Sequence, residues 1–252
     1  MEKRGASKNS SGSGSKLGLL VAISLVLIGL AVWFGRQFFR PLSLPAQPRT
    51  VEQVLGALAP GVERRLLPAF EVAGVSWPPR KLTLLAFKAE KLLELYASED
   101  QEIPRFVLSY PILASSGTSG PKLREGDKQV PEGFYRIELL NPNSRFHLSL
   151  RINYPNAEDI EHARQDGRPL ANLGGDIMIH GGAASAGCLA IGDPAIEELF
   201  VLIASVGLDN VRLIIAPCDF RRGNGPAAFG RGPVRTADLH DRLRAEIGRL
   251  PL

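Results

Sequence analysis

Short runs of hydrophobic residues, divided by polar and turn-forming residues, occupy most of the chain between residues 80 and 218. The runs are rich in leucine, isoleucine, valine and aromatic residues, which is the pattern of short β-strands separated by glycine and proline turns. The predicted strands span residues 81–88, 91–97, 106–113, 134–140, 146–152, 176–180 and 211–215. The first two predict a hairpin through Ala89-Glu90, and the whole set predicts a β-sandwich or barrel-like sheet.

The longest apolar run lies near the N-terminus. Residues 17–35 carry no charge over 19 positions, and a helix of that length would span about 28 Å and cross a hydrocarbon core. Basic residues in the polar stretch 1–16 predict a cytoplasmic tail, with the rest of the chain on the outer side. The triplet Gly29-Leu30-Ala31 leaves a cleaved secretory signal as the alternative. Because the apolar run continues past it, we favour a retained transmembrane helix.

A helical pattern follows a proline-rich spacer. Residues 50–70 predict one or two short helices, because Thr50 and Gln53 have the spacing of a capping box. The Pro60-Gly61 pair predicts a break, since proline removes a helical hydrogen bond. We expect this segment either to pack against the strand-rich part or to set its distance from the membrane.

Two further helices are predicted, one between the last two strands and one after them. Residues 194–205 predict a helix with Asp193 as its N-cap, and residues 236–247 predict a closing helix. The Gly/Arg-rich residues 221–233 predict a loop between them. The fold class predicted is therefore α+β, mainly β with helices.

These patterns predict five consecutive parts of the chain. They are a cytoplasmic tail, a transmembrane anchor, a Pro-rich spacer with short helices, a strand-rich domain, and a loop with a C-terminal helix, over residues 1–16, 17–35, 36–79, 80–218 and 219–252.

The charge is distributed unevenly along the chain. The formal net charge of +4 comes from 30 basic and 26 acidic residues, but six of the basic ones and one acidic one lie in the first 40 positions. The remainder therefore holds 24 basic and 25 acidic residues. A near-neutral body without a basic stripe does not suit a phosphate backbone, so nucleic-acid binding is not expected.

Two cysteines are present, and their settings differ. An exported chain permits a disulfide between Cys188 and Cys218, whereas the residues around Cys188 favour a nucleophile. His180 ends a predicted strand eight positions before Cys188, and three of the residues between them are glycines. A thiol attacks an acyl carbon as the thiolate, so it needs a base and donors for the oxyanion.

The sequence offers both of these requirements. His180 is the predicted base, and the backbone amides of Gly187 and Cys188 are the predicted oxyanion donors. By itself, the spacing does not separate a catalytic pair from two residues of a core loop. No metal site is expected, because the other histidines and Cys218 are scattered without ligand spacing.

Two blocks of the sequence resemble a known family. The run Ile179-His-Gly-Gly-Ala-Ala-Ser-Ala-Gly-Cys188 resembles the signature of the YkuD-type L,D-transpeptidases, in which a strand-borne His-Gly precedes Ser/Thr-x-Gly-Cys. The second block, Gly120-Pro-Lys-Leu-Arg-Glu-Gly-Asp127 followed by Pro131-Glu-Gly-Phe-Tyr135, is similar to that family's GPK..EGD...PEG.Y segment. The short His-to-Cys spacing and residues 146–157 are similar to the YafK-like branch of the family.

The resemblance implies roles for the residues of the motif. Cys188 would be the nucleophile and His180 the residue that takes its proton, with Gly181, Ser185 and Gly187 completing the motif around them. We expect the Ser185 side chain or a nearby backbone carbonyl to orient His180. A loop-stabilising hydroxyl is the alternative role for Ser185.

The resemblance also points to residues of the substrate cleft. His147, Tyr154 and Asn156 are the candidates, although a packed strand histidine and a plain Tyr-Pro-Asn turn explain them equally. Glu125 and Asp127 are expected to build turns rather than to catalyse.

The family implies chemistry on the peptidoglycan stem peptide. Cys188 would form a thioester and pass the acyl group to an amine, without a metal or organic cofactor. More familiar members often have histidine before the Gly-Cys pair and arginine two residues after the cysteine, where this chain has Ala186 and Ala190. Hydrolysis of stem-peptide links, including release of wall-attached protein, is therefore an alternative. A non-catalytic wall-binding module is the alternative of another class.

The same resemblance, combined with the apolar run, implies a location. Residues 17–35 would cross the bacterial inner membrane once and hold the catalytic domain in the periplasm or cell-wall space.

Overall fold

Four α-helices and eight β-strands make up the part of the chain that the computed structural model describes, which is residues 47–100, 103–118, 120–223 and 234–251. The helices are α1 (Val51–Ala73), α2 (Ala157–Gln165), α3 (Asp193–Val206) and α4 (Val234–Ile247). The strands are β1 (Lys81–Phe87), β2 (Leu92–Ser98), β3 (Arg105–Pro111), β4 (Gly133–Ser144), β5 (His147–Ile152), β6 (Met178–His180), β7 (Leu189–Ala190) and β8 (Val211–Ala216). The predicted α+β class is confirmed.

The strands form one mixed sheet in the order β3-β2-β1-β8-β4-β5-β6-β7. The pairs β1-β8 and β6-β7 are parallel and the other neighbours are antiparallel. β4 joins the two halves, because its first four residues pair with β8 and the following ones with β5. Ala114, just after β3, bridges to Ala190 of β7. The two edges of the sheet are therefore linked, and the strands form one curved, barrel-like sheet instead of a two-sheet sandwich.

The strand pattern locates the predicted hairpin correctly. β1 and β2 pair antiparallel in the expected register, with Lys81 opposite Ser98. All seven predicted strands exist, although β4 runs on to Ser144 and β6 has only three residues. β7 was not predicted, since a strand of two residues has no periodicity to detect.

Helix α1 corrects the expected break at Pro60. One helix of 23 residues runs from Val51 through Pro60 and Pro68 to Ala73, capped by Thr50 with the predicted capping box. Each interior proline costs about 3 kcal/mol. Against this, four apolar side chains of the helix are buried, each worth about 1.5–3 kcal/mol; they are Val54, Val62, Leu66 and Phe70. Both prolines face solvent, so they do not interrupt the apolar stripe of the helix. The predicted break at Pro60-Gly61 is therefore wrong.

Two apolar cores lie on opposite faces of the sheet. Alternate residues of β8 divide between them: Leu213 and Ile215 belong to the core that also contains α1 and α3, whereas Ile214 and Ala216 belong to the one under α4. This is the period of two expected for a sheet that is covered on both sides. The predicted helix at 236–247 corresponds to α4.

Asp193 is not the N-cap of α3. Gly192 occupies that position, and Asp193 is the first helical residue. A carboxylate in the first turn still complements the helix dipole, but the Asp193 side chain accepts a hydrogen bond from Gly182 N. Sequence position alone does not distinguish these two uses of an aspartate.

Several predictions fall on residues outside the described ranges. They concern the tail 1–16, the anchor 17–35 with its alternative of cleavage, and most of the loop 221–233. Across the described ranges, no helix is both long and apolar enough to span a bilayer. No disulfide joins Cys188 to Cys218, so the alternative of a disulfide between them is wrong.

Candidate active site

Strand pairing brings Cys188 next to the strand that carries His180. β6 and β7 are parallel, with Ile179 opposite Leu189 and His180 opposite Ala190. One step back along both strands, Cys188 lies opposite Met178, and the Met178 amide donates to Cys188 Sγ at 3.4 Å. Cys188 directly precedes β7, so its thiol lies beside the strand β6 that ends in His180.

The tautomer of His180 follows from its backbone partner. Its Nδ1 lies 2.7 Å from the carbonyl oxygen of Gly181. A carbonyl can only accept a hydrogen bond, so Nδ1 carries the proton and Nε2 presents a lone pair. The role of orienting His180, which the sequence left between Ser185 and a backbone carbonyl, belongs in the structure to the Gly181 carbonyl.

The imidazole is also covered on one face. The Phe146 ring stacks on His180 with 4.5 Å between the ring centroids and 25° between the ring planes. His180 is 3% exposed, while Phe146 itself is 42% exposed. Burial lowers the pKa of His180 below its ordinary value of 6.5, and the bond to Gly181 offsets part of this effect. The imidazole is therefore neutral at neutral pH.

Cys188 is a thiol in this state. Burial raises the pKa of its thiol above the ordinary value of 9.0, with the Met178 amide acting in the opposite direction. The sulfur also lies 3.8 Å from the Asp176 carbonyl oxygen, to which the S–H group can donate. Within the residues that the structure describes, no hydrogen bond joins Cys188 to His180. The pair therefore consists of a thiol and a neutral base, not of a preformed thiolate and imidazolium.

Both predicted oxyanion donors are bonded to serine hydroxyls. Cys188 N donates to Ser185 Oγ at 3.0 Å, and Ser185 Oγ in turn donates to Cys188 O at 2.6 Å. Gly187 N donates to Ser116 Oγ at 2.6 Å, and Ser116 Oγ donates to Lys128 O. Ser185 thus stabilises the loop, which is the alternative that the sequence left open. Each amide would have to exchange its hydroxyl partner for a substrate oxygen.

Gly181 fits a space that no side chain could share, and Gly182 has a backbone conformation that favours glycine. A Cβ atom added at Gly181 would lie 2.5 Å from Asp193 Oδ1 and 2.6 Å from the Phe146 carbonyl oxygen. The next residue, Gly182, has φ 68° and donates its amide to Asp193 Oδ1 at 2.8 Å. Asp193 therefore ties the loop after His180 to the start of α3.

The EGD block builds a turn, as expected. Asp127 accepts the amides of Leu123, Arg124 and Gln129 and pairs with Lys122 Nζ at 2.7 Å. Burial raises the pKa of the Asp127 carboxyl, but these bonds outweigh it and lower the value overall. The lysine charge also acts on Cys188, whose pKa it lowers slightly against the effect of burial.

The PEG block is held by a buried ionic network. Glu132 accepts from Lys88 Nζ at 2.8 Å and lies 2.9 Å from His240 Nε2 of α4. The glutamate side chain is fully buried and those of its two partners nearly so. This network fixes α4 to the loop before β4.

The three cleft candidates do not gather around Cys188. His147 Nε2 lies 2.9 Å from Glu197 of α3, and so acts as a packed histidine at the first position of β5. Asn156 caps α2 with hydrogen bonds from the amides of Glu158 and Asp159. The Tyr154 hydroxyl donates to the Leu173 carbonyl.

Tyr154 and Asn156 do line a cleft, together with several charged and aromatic side chains. The cleft lies between α2, the loop before β4 and the start of α4; its other members include Lys122, Tyr135, Asp159, His162 and Arg168. Burial raises the pKa of Asp159 to about 6. Cys188 does not line this cleft.

Three residues of the site were missed by the sequence analysis. Phe146 lies within a segment that was noticed only as a resemblance, Asp193 was interpreted as a helix cap, and Ser116 lies in a loop without any motif. Ser116 contacts a residue 71 positions away. Only the serine, threonine and glycine content of that loop was visible, and it signals a turn rather than a partner.

Comparison with known proteins places the chain in a family. The profile of the YkuD L,D-transpeptidase catalytic domain matches residues 83–213, more than half of the chain. A protein of Escherichia coli strain K12 described as "Putative L,D-transpeptidase YafK" is 35% identical over 136 residues, which make up 52% of this chain and 52% of that protein. The chain thus spans about half the length of the curated relatives that it matches.

Solved structures give weaker likenesses. The K307A mutant of Pgp2, a helical cell shape determining protein from Campylobacter jejuni, is 25% identical with a TM-score of 0.43, over 54% of this chain and 47% of that one. Pgp2 itself is 18% identical with a TM-score of 0.44, over 68% and 70% of the two chains. The family profile, with the His-Gly and Ser-x-Gly-Cys residues on β6 and before β7, is decisive: the chain belongs to the YkuD family of L,D-transpeptidase catalytic domains.

Proposed function

We propose that this chain modifies peptidoglycan stem peptides, with Cys188 as the nucleophile and His180 as the general base. The observation that carries the proposal is the state of His180 beside Cys188. Its Nδ1 proton is held by Gly181 O, which leaves Nε2 free to accept a proton. A neutral imidazole that ends the strand contacted by the thiol can act as the base that a thiol nucleophile requires.

The reaction begins with proton transfer from the thiol. As Cys188 Sγ attacks a stem-peptide carbonyl, His180 Nε2 takes the thiol proton and the carbonyl oxygen becomes an oxyanion. The C–N bond then breaks, and the imidazolium returns the proton to the leaving amine. A thioester on Cys188 remains. Since the thiol has a raised pKa, the proton leaves it only as the new S–C bond forms.

The oxyanion needs donors, and the amides of Gly187 and Cys188 are suited to this role. Each is within hydrogen-bonding reach of a serine hydroxyl, at 2.6 Å for Ser116 and 3.0 Å for Ser185. An oxyanion is a stronger acceptor than a neutral hydroxyl, so it can replace either one. Such donors typically contribute about 10²–10³-fold to the rate.

Two fates of the thioester follow from what can attack it. An amine from a neighbouring stem would give a cross-link or an exchanged group, and water would give hydrolysis. Ala190 favours the second candidate, because it is fully buried between β6 and Ala114 and offers no charged group to an acceptor. Hydrolysis includes the release of protein attached to the wall.

Purified sacculi are the substrate that tests the proposal. The chain, Cys188→Ala and the matched control Cys218→Ala are incubated with sacculi, and the products are identified by mass spectrometry. New bonds between stem peptides support transfer, and freed stems or freed protein support hydrolysis. Equal products from the chain and Cys188→Ala would refute a nucleophilic role and leave a wall-binding module.

The proposal includes a location outside the inner membrane. It rests on the apolar residues 17–35 and the basic residues before them. Protease added to spheroplasts is expected to digest the domain that contains Cys188. Protection of that domain in intact spheroplasts would contradict this topology.

A further inference from the structure

Phe146 is a large apolar residue in an unusual position. It lies in the turn between β4 and β5, where its ring is 42% exposed. A phenylalanine contributes to stability mainly through burial, and a large part of this residue remains in contact with water. Its main aromatic contact is the face of His180.

The turn that carries Phe146 is fixed on several sides. The Phe146 amide donates to Ser144 Oγ at 3.1 Å. The next residue, His147, has φ 71° and binds Glu197 of α3. The Arg49 guanidinium donates to the His147 carbonyl at 3.2 Å. A ring held by these contacts keeps its place relative to β6.

The imidazole of His180 is held by a hydrogen bond at one nitrogen and by the stacked phenyl ring on one face. Its Nδ1 is bonded to Gly181 O, and the two residues that follow it are glycines, which carry no side chain to cover the ring. A Cβ atom at Gly182 would lie 3.5 Å from Phe146 Cδ1. The phenyl ring thus occupies the space over the imidazole that the glycines leave open.

We propose that Phe146 is a positioning residue: its stacked ring excludes water from one face of His180 and holds the imidazole in the orientation in which it serves Cys188. The inference rests on the proposed role of His180 as the base. Phe146 itself exchanges no proton and touches no reacting atom.

The electrostatic surroundings leave the Phe146 phenyl ring as the main influence on the pKa of the His180 imidazole. Charged or titratable groups on the neighbouring elements are Cys188, His147 and Arg151 on β5, Asp176 before β6, and Asp193, Glu197 and Glu198 on α3, of which Glu198 pairs with Arg65. The charged ones have other partners: Arg151 pairs with Glu138 and Asp176, Glu197 with His147 and Arg65, and Asp193 with Gly182 N. Removing the phenyl ring would therefore act on His180 through hydration.

The first test follows His180 itself and needs no substrate. The ring carbons of ¹³C-labelled histidine are titrated by NMR in the chain, Phe146→Ala, Phe146→Leu and Phe146→Tyr, with His180→Asn to assign the signal. The pKa of His180 is expected to rise toward about 6.5 in Phe146→Ala and to stay low in Phe146→Tyr, while Phe146→Leu lies between them. An unchanged pKa in both Phe146→Ala and Phe146→Leu would overturn the inference.

Phe106→Ala is the matched control. Phe106, on the edge strand β3, is 38% exposed and packs edge-on against Tyr96 of β2, so its loss removes a comparable ring. The pKa of His180 is expected to remain unchanged in this variant. A rise as large as in Phe146→Ala would show a general loss of packing and would overturn the positioning role.

The second test uses stem-peptide turnover. In Phe146→Ala, kcat at pH 7 is expected to fall about tenfold, a part of the roughly 10²–10⁴-fold that a positioned base contributes, with KM unchanged and recovery in Phe146→Tyr. A raised KM with unchanged kcat would make Phe146 a substrate contact instead. If no variant turns over stem peptides, the proposed function fails, while the NMR titration still decides the role of Phe146.

Discussion

Asp193 gives the sharpest test of how the catalytic loop is held. Its carboxylate accepts the Gly182 amide at 2.8 Å, one residue after the carbonyl that orients His180. Because Asp193 is exposed to solvent, the lower range for a hydrogen bond applies, about 0.5–1.5 kcal/mol. Its charge in the first turn of α3 adds about 0.3–1 kcal/mol. Asp193→Ala is therefore expected to lower the free energy of unfolding by about 1–2 kcal/mol.

Two measurements follow from that magnitude. In a domain of this size, 1–2 kcal/mol corresponds to a fall in the melting temperature of about 2–8 °C. If the lost bond also lets the Gly181 carbonyl move, single-turnover thioester formation on Cys188 is expected to slow about tenfold, since a factor of ten corresponds to about 1.4 kcal/mol. Asp193→Asn keeps an acceptor oxygen for Gly182 and should retain most of the rate.

The control for this prediction is Asp209→Ala, which removes another exposed acidic residue, just after α3. The reasoning is refuted if Asp193→Ala destabilises the protein no more than Asp209→Ala and forms the thioester at the original rate. A slower rate in Asp193→Asn than in Asp193→Ala would also contradict it, because the acceptor oxygen would then be irrelevant.

The remaining predictions concern pH, packing and the buried network. The rate of thioester formation should increase as pH rises through the lowered pKa of His180, below 6.5. It should then stay level until pH approaches the raised pKa of Cys188, above 9.0. A single-turnover profile with its maximum only above pH 9 would argue against a neutral base. Gly181→Ala should lower the free energy of unfolding, measured by urea denaturation, by about 1–3 kcal/mol through overpacking. Gly56→Ala is the control, since its added Cβ meets nothing within 4 Å and should not destabilise α1. Equal losses of stability in the two variants would disprove the clash. Glu132→Gln should lower stability by about 3–5 kcal/mol, because it leaves a buried lysine without its counter-ion, and calorimetry showing less than 1 kcal/mol would refute that.

Elements held by contacts that are local in sequence could be predicted, whereas features that depend on contacts distant in sequence could not. β1 and β2 could be predicted because their apolar residues and the turn between them are local in sequence. Helix α2 was missed, since only Ala163 of it is buried and it has no apolar stripe. The break at Pro60 was wrong because packing against α3 and β3, which sequence does not show, outweighs the proline cost.

The same distinction applies to the site. His180 and Cys188 are eight positions apart in one motif, so pattern and resemblance could identify them. The ring over His180 and the hydroxyl on Gly187 come from distant turns. They depend on how β4, β5 and the loop after β3 are arranged in space, and no local pattern encodes that arrangement.

Helix α1 has a practical consequence for how the protein is produced. The sequence pattern predicted the strand-rich domain from residue 80, yet Val62, Leu66 and Phe70 of α1 are part of the same core as α3. An expression clone that starts at residue 80 would leave an apolar trough open to water, and such surfaces promote aggregation. A polypeptide expressed for soluble preparation therefore has to start ahead of Thr50, so that it includes both α1 and the sheet that α1 covers.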